Sequence, residues 1–241
     1  MPLSATVDAT YQGYVYLNYS AALINWTGQV RNATTGTGAA TYTSNSSNTI
    51  AIRASLQASR SGYVGTCNRV FLFFDGLDTA TGGGTITAAT LRVWGAGSSQ
   101  ITDTIVVEGT AWGGGGDTST LSTGDYDSLD HSTAYSPKDL SWGGAVYNDF
   151  VLNSTAIADM NANGYLNCAV IEGDYDYDNQ NPTVGTSVIA GVEFLDPTNK
   201  IKLNLTYTAA GYGNDVIGVA SANIDSVIGV ATADIDNIIG V

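Results

Sequence analysis

The segment GDYDYDNQN sets Asp174, Asp176 and Asp178 at alternate positions, with Asn179 and Asn181 after them. Carboxylate and amide oxygens at that density are the donor set of a hard cation, and Ca²⁺ is the ion they would suit. Asp174, Asp176, Asp178 and Asn179 are therefore the candidate metal ligands. The loop is not an EF-hand, because its sixth position is Asn179 rather than Gly and its twelfth is Gly185 rather than Glu. In a regular strand alternate residues point to one side, which would give an acidic ridge; a solvated acidic loop is the competing reading. GDYDSLD, with Asp125, Asp127 and Asp130, repeats the pattern and reads better as a turn.

A second chemistry is suggested by Trp112, Tyr126, Tyr135, Trp142 and Tyr147, which fall together in the loop-rich half of the chain. Aromatic rings stack on the apolar faces of sugars while Asp and Asn take the hydroxyls, and loops on a rigid scaffold commonly carry binding. These five are the candidate glycan-binding residues. Against that, Trp112, like Trp94, stands near a strand end, where a core position is the plainer assignment.

Catalysis finds less support. His131 is the single histidine, in a Gly- and Ser-rich stretch that reads as an exposed loop, and no Gly-x-Ser-x-Gly elbow occurs. A glycosidase needs two carboxylates across the bond it cuts, and nothing in the spacing of Glu108, Glu172 and Glu193 selects a pair. The expectation is a non-enzymatic protein.

The C-terminal stretch repeats itself: Asp215 to Asp225 and Ser226 to Asp236 share a pattern eleven residues apart, and NIIGV begins a third copy. Its apolar positions, Val216, Ile217, Val219, Ile224, Val227, Ile228, Val230, Ile235, Ile238, Ile239 and Val241, are the candidate assembly residues. An eleven-residue period fits a right-handed helical supercoil. The interior Gly of each copy and the load of β-branched residues favour extended strands with turns instead. One repeat cannot cover its own apolar face, so the tail is expected to pack on copies of itself, a trimer being favoured, or on another protein.

These features must be positioned by a scaffold. Charged residues make up only 12% of the 241, so Thr, Ser, Asn, Gly and Tyr must build most of the surface, a mixture that favours strands and turns. The net charge of −14 repels phosphate backbones, which argues against nucleic acid as a partner. No apolar run is long enough to span a bilayer, and the N-terminus reads as having no signal peptide. Cys67 and Cys168 read better as two buried thiols than as a bridge, in a protein assembled in a reducing compartment.

Strand patterns are clear at GYVYLNY, TIAIRASL, RVFLFFDGL, ITAATLRVWG, DTIVVEGTAW, YNDFVLN, YLNCAVIEG, TSVIAGVEFL and KIKLNLTY. RVFLFFDGL is apolar enough that both its faces should be covered. TGTGAATYTSNSSN reads as a linker or long loop, and STAIADMNANG as the one short helix, with Ser154 or Thr155 as N-cap and a stop at Gly164. Many short strands with turn-punctuated spacing mean an all-β sandwich. Residues 1–48 are expected to be N-terminal strands or an arm belonging to the sandwich, 49–208 the sandwich, and 209–241 the extended repeat tail.

The order of segments from NRVFLFFDGLDTATGGGTITAATLRVWG through IVVEGTAW and YNDFVLNSTAIADMNANGYLNCAVIEG to KIKLNLTY resembles the DNRLRE-type jelly-roll family. The resemblance covers roughly residues 50 to 208 and implies a jelly-roll β-sandwich of carbohydrate-binding or adhesive type. The terminal repeat resembles tails of marine bacteriophage structural proteins, with Ile217, Ile228 and Ile239 where those carry Asn. Together these lead to an expected function: a virion surface protein that decorates a capsid or forms an appendage, with surface glycans and other virion proteins as partners. The alternative is a subunit of an extracellular filament or adhesin assembled by strand complementation.

Overall fold

The computed structural model describes residues 2–42, 48–96, 103–112, 120–138, 142–194, 198–210, 226–227 and 230–231. In chain order the strands are β1 (Leu3–Asp8), β2 (Tyr11–Ala21), β3 (Gly38–Tyr42), β4 (Asn48–Ser59), β5 (Gly62–Phe74) and β6 (Thr85–Trp94). They continue as β7 (Thr104–Gly109), β8 (Leu129–Ala134), β9 (Tyr147–Val151), β10 (Leu166–Glu172), β11 (Ser187–Phe194) and β12 (Lys202–Thr208). Two helices, α1 (Leu77–Thr81) and α2 (Ser154–Asn163), and helical turns at Thr27–Arg31, Thr123–Asp127 and Gly173–Tyr177 complete the sandwich.

Two antiparallel sheets form the layers. One has the order β1-β12-β6-β9; the other runs β11-β4-β5-β10-β7-β8, with β2 on the free side of β5 and β3 beyond it. The all-β sandwich read from the sequence is thus the fold, and residues 2–42 are integral to both sheets rather than an arm.

β5 organises the larger sheet because it pairs with three strands. Along one edge it holds β2 over its length, Tyr63 to Phe73. On the other edge β4 pairs with Gly62 to Asn68 and β10 takes over from Val70 to Phe74. The sheet therefore forks at Arg69. Alternation along β5 sends Val70, Leu72 and Phe74 into the core between the sheets, and Cys67, Phe71 and Phe73 into a second core on the outer face. That outer core lies under the three helical turns, with Trp26, Val30 and Tyr126 buried in it. Both faces of β5 are covered, as its continuous apolar run requires. Each of those fully buried side chains contributes roughly 1.5–3 kcal/mol of hydrophobic stabilisation. Cys67 and Cys168 are free thiols in different cores, on opposite faces of the sheet.

Four local expectations change. The segment expected as a linker contains β3, whose Gly38 to Tyr42 pair with Tyr16 to Gln12 of β2; a waiting sheet edge outweighs weak strand propensity. Leu129–Ala134, expected as loop, is β8 for the same reason, on the edge of β7. RVFLFFDGL ends as a strand at Phe74, and Leu77 opens α1 after Gly76 with φ 68°, so the helix read from the sequence is not alone. In α2 the N-cap is Asn153, whose Oδ1 accepts from the amides of Thr155 and Ala156 at 3.0 and 3.1 Å. Gly164, at φ 71°, ends the helix where the sequence places its stop.

Of the repeat tail, Ser226–Val227 and Val230–Ala231 form an antiparallel two-residue pair, β13 and β14. These residues are extended, which agrees with the strand reading over the helical one at this point. Val227 is paired with Val230 in its register; the other assembly residues lie outside the described residues.

Candidate functional site

The acidic segment does not become a strand, and that changes which way its carboxylates point. Glu172, the last residue of β10, accepts from the amides of Asp174 at 3.0 Å, Tyr175 at 2.7 Å and Asp176 at 3.1 Å, winding the next residues into a helical turn. Burial pushes the Glu172 carboxyl up to about 7 against the pull of those three N–H donors. In a turn, positions four apart share a side, so Asp174 and Asp178 face together while Asp176 turns inward. Asp174 and Asp178 converge on Lys138 Nζ at 3.2 and 2.5 Å, with Asp103 at 3.8 Å. The ammonium stands where a cation was expected. The candidate ligands Asp174, Asp176, Asp178 and Asn179 are not brought into one oxygen cage; Asn179 is exposed at a positive φ of 60°.

Asp176 instead meets Arg69 at the sheet fork. Its Oδ1 accepts from Arg69 Nη2 at 2.7 Å and its Oδ2 from Nε at 2.9 Å, with both side chains fully buried. Arg69 also donates to the carbonyls of Tyr126 and Arg31, each at 2.7 Å, and lies over the Tyr126 ring at 4.2 Å. One guanidinium thereby holds all three helical turns against the sheet. Arg31 adds a bond from Nε to the Asp176 carbonyl at 2.5 Å. His131, expected on an exposed loop, lies on β8 with Nε2 3.2 Å from Asp176 Oδ1 and 3.4 Å from Arg69 Nη2. Burial would raise the Asp176 carboxyl. The Arg69 charge and the hydrogen bonds from His131 and Arg69 outweigh it and hold it well below the usual range. Cys67, 3.4 Å from Asp176 Oδ2, has its thiol pushed up by burial and by that carboxylate.

The aromatic platform does not assemble as expected. A stacking surface needs ring faces in solvent, and Trp112, Tyr126, Tyr135 and Trp142 are no more than 7% exposed. Tyr126 donates to the Val30 carbonyl at 2.9 Å, and Trp142 Nε1 to that of Gly191 at 3.2 Å. Tyr147 stays half-exposed on the outer face of the smaller sheet, with Trp94 edge-on at 5.0 Å and Arg92 above its ring at 4.5 Å. Its hydroxyl donates to the Lys200 carbonyl at 3.1 Å.

Two of the five, Trp112 and Tyr135, do come together, at a polar cleft of about 200 Å³. Glu108 and Gly109 at the end of β7, Asp159 and Asn163 of α2, and Tyr165 and Asn167 at the start of β10 complete its wall with Thr110 and Leu166. The Tyr135 hydroxyl donates to Asp159 Oδ2 at 2.7 Å. The Glu108 side chain has neither a hydrogen bond nor an ion pair among the described residues. Burial, followed by the nearby Asp159 and Asp130, pushes its carboxyl above the usual range. Asn167 donates through Nδ2 to the Trp112 carbonyl, leaving a buried Oδ1 unpaired.

Sequence reasoning missed Arg69, Glu172 and the Glu108–Asp159 pairing. The first two carried a signal: a charge at the head of RVFLFF, and another at the end of YLNCAVIE, each adjoining an apolar strand that must be buried. The Glu108–Asp159 pairing carried none, since it depends on packing α2 beside β7. The chain matches no protein-family model and no curated protein.

Proposed function

We propose that this chain is a non-catalytic virion surface protein, a β-sandwich displayed on a capsid or as an appendage and attached or oligomerised through its C-terminal repeat. The observation that carries this reading is the repeat itself, which follows β12 after a few residues and is extended at Ser226–Val227 and Val230–Ala231. An eleven-residue pattern of Val and Ile that cannot bury its own apolar face requires a partner surface. The sandwich brings a different property. With two cores and covered faces on its larger sheet, it is suited to rigid display, and its net charge of −14 favours solubility and disfavours nucleic acid.

The alternative, a subunit of an extracellular filament built by strand addition, is favoured by one feature. β1 is an edge strand of the smaller sheet, its outer hydrogen-bonding side unpaired within the described residues.

Light scattering of the full chain beside one ending at Ala210 tests both. A closed trimer that becomes a monomer on truncation supports an oligomerising tail on a displayed head. Two monomers place the tail's partner on another virion component, to be sought by co-purification with particles. Polymers of indefinite length overturn the display reading in favour of the filament.

A further inference from the structure

β1 leaves one side of the smaller sheet open. Ala9 donates to the Ile201 carbonyl at 3.1 Å, and the register runs unbroken from Asp8 opposite Lys202 to Leu3 opposite Tyr207. Alternation along that ladder turns the N–H and C=O groups of Ser4, Thr6 and Asp8 away from β12. Those groups meet no partner among the described residues, and α1, which packs beside β1, forms no hydrogen bond to it there. The usual guards of an edge are missing: LSATVD holds no Lys, no Pro and no bulge. Its outer side chains lean back toward the sheet, with Thr6 Oγ1 donating to Asn204 Oδ1 at 3.0 Å and Asp8 accepting from Lys200 Nζ at 2.6 Å. On the core side Leu3 is 41% exposed, and Ala5 and Val7 pack on the core while staying only half-buried. Unpaired backbone groups thus stand beside an apolar margin that is incompletely covered.

The tail carries a strand of matching pattern. Residues 220–225 read ASANID and residues 231–236 read ATADID, against LSATVD in β1. In all three, apolar residues at positions one, three and five alternate with Ser or Thr at two, a polar residue at four and Asp at six. Laid beside β1, such a segment sets an apolar row on the core margin and a polar row on the outer face. Ala231, which opens the second segment, is extended in β14.

We propose that the free edge of β1 is the docking site of these tail segments from a neighbouring copy, added as a further antiparallel strand of the smaller sheet. The other pairs of that sheet are antiparallel. An antiparallel partner of β1 enters beside Asp8, whereas the chain's own tail leaves beside Leu3, at the opposite end. The donor is therefore a second copy. The contact is head-to-tail, so the same docking gives a closed ring or an open polymer according to the rotation it imposes. It rests on the reading that the tail oligomerises the chain, and adds where the tail binds.

Amide hydrogen exchange of the full chain, read by NMR beside the chain ending at Ala210, tests the docking, with light scattering on the same samples. In the full-length oligomer the amides of Ser4, Thr6 and Asp8 should exchange at least about tenfold more slowly than in the truncated chain. Those of Ala5 and Val7, which face β12, should be slow in both. Thr6→Pro removes one outward N–H and leaves the β12 ladder intact, so it should release the oligomer to monomers. Ala222→Lys with Ala233→Lys places charges in the apolar row, at positions outside the sandwich, and should abolish the protection as well. An oligomer whose Ser4, Thr6 and Asp8 amides exchange as fast as in the truncated chain overturns the proposal and leaves tail-driven assembly standing. A full chain that is monomeric at every concentration with those amides fast overturns both. If it is monomeric with those amides slow, the tail lies on its own β1 and the neighbouring donor is overturned. Unchanged protection in the double-lysine variant overturns the proposal too.

Discussion

Arg69 and Asp176 face each other through two hydrogen bonds, 2.7 and 2.9 Å, with neither side chain touching solvent. The contact stands where β5 exchanges β4 for β10, and its other hydrogen bonds run to the turns that cap the outer core. A buried ion pair gains little over a well-packed apolar pair, but removing one partner strands the other.

Asp176→Leu should therefore destabilise the protein by about 3–5 kcal/mol, and Arg69→Met by a similar amount. The double variant Arg69→Met/Asp176→Leu should lose clearly less than the sum of the single losses. Urea unfolding of the four proteins checks this. Strict additivity would mean that the two residues act separately.

The pH dependence of stability follows from two carboxylates that shift in opposite directions. Asp176, held low when folded, stabilises fully above its unfolded value of roughly 3.9, and that contribution is lost as pH falls below it. Glu172, pushed up to about 7, contributes stability that is full below its unfolded value of roughly 4.3 and is lost as pH rises toward 7. Urea midpoints should peak at about pH 4 to 5 and decline on both sides. A midpoint that rises steadily from about pH 5 to pH 7 would show that Glu172 is not driven up by burial.

Cys67 and Cys168 are buried, with thiols pushed up by burial, so both should resist a thiol reagent in the native protein. In denaturant without reductant both should react at once. Recovery of fewer than two thiols on unfolding would mean that they had been oxidised.

Lys138 Nζ donates to Asp174 and Asp178 and holds Asp103 by charge at 3.8 Å, partly in solvent. Lys138→Ala should cost about 1 kcal/mol or less and leave three carboxylates without their cation. Added CaCl₂ should then raise the melting temperature of the variant more than that of the parent protein. Equal shifts would show that the ammonium is not a substitute for an ion.

The sandwich was legible in the sequence because alternation and length identify strands that lie in a packed interior. TIAIRASL, TSVIAGVEFL and KIKLNLTY all reappear as strands, each ending within three residues of where the pattern ends. β3 and β8 were not, because small or polar residues become strands only when an edge is already present to pair with. The acidic segment misled for a different reason. Asp176 sits in GDYDYD with no local mark to separate it from Asp174 and Asp178; the separation comes from Glu172 winding the turn and from Arg69 waiting beneath it. The cleft was half legible: Trp112 and Tyr135 were chosen as aromatic, but the carboxylates beside them came from elements 51 residues apart.

β1 and β12 run antiparallel with Leu3 opposite Tyr207. Tension applied between Leu3 and the tail beyond Thr208 would act across that ladder rather than along it. Its bonds lie perpendicular to the strands and would open in succession, beginning at Leu3, so little force is needed. Tension entering through the tail and leaving at Asp8 would instead shear all six pairs together. A head tethered by its tail is thus mechanically weak or strong according to where its load is grasped.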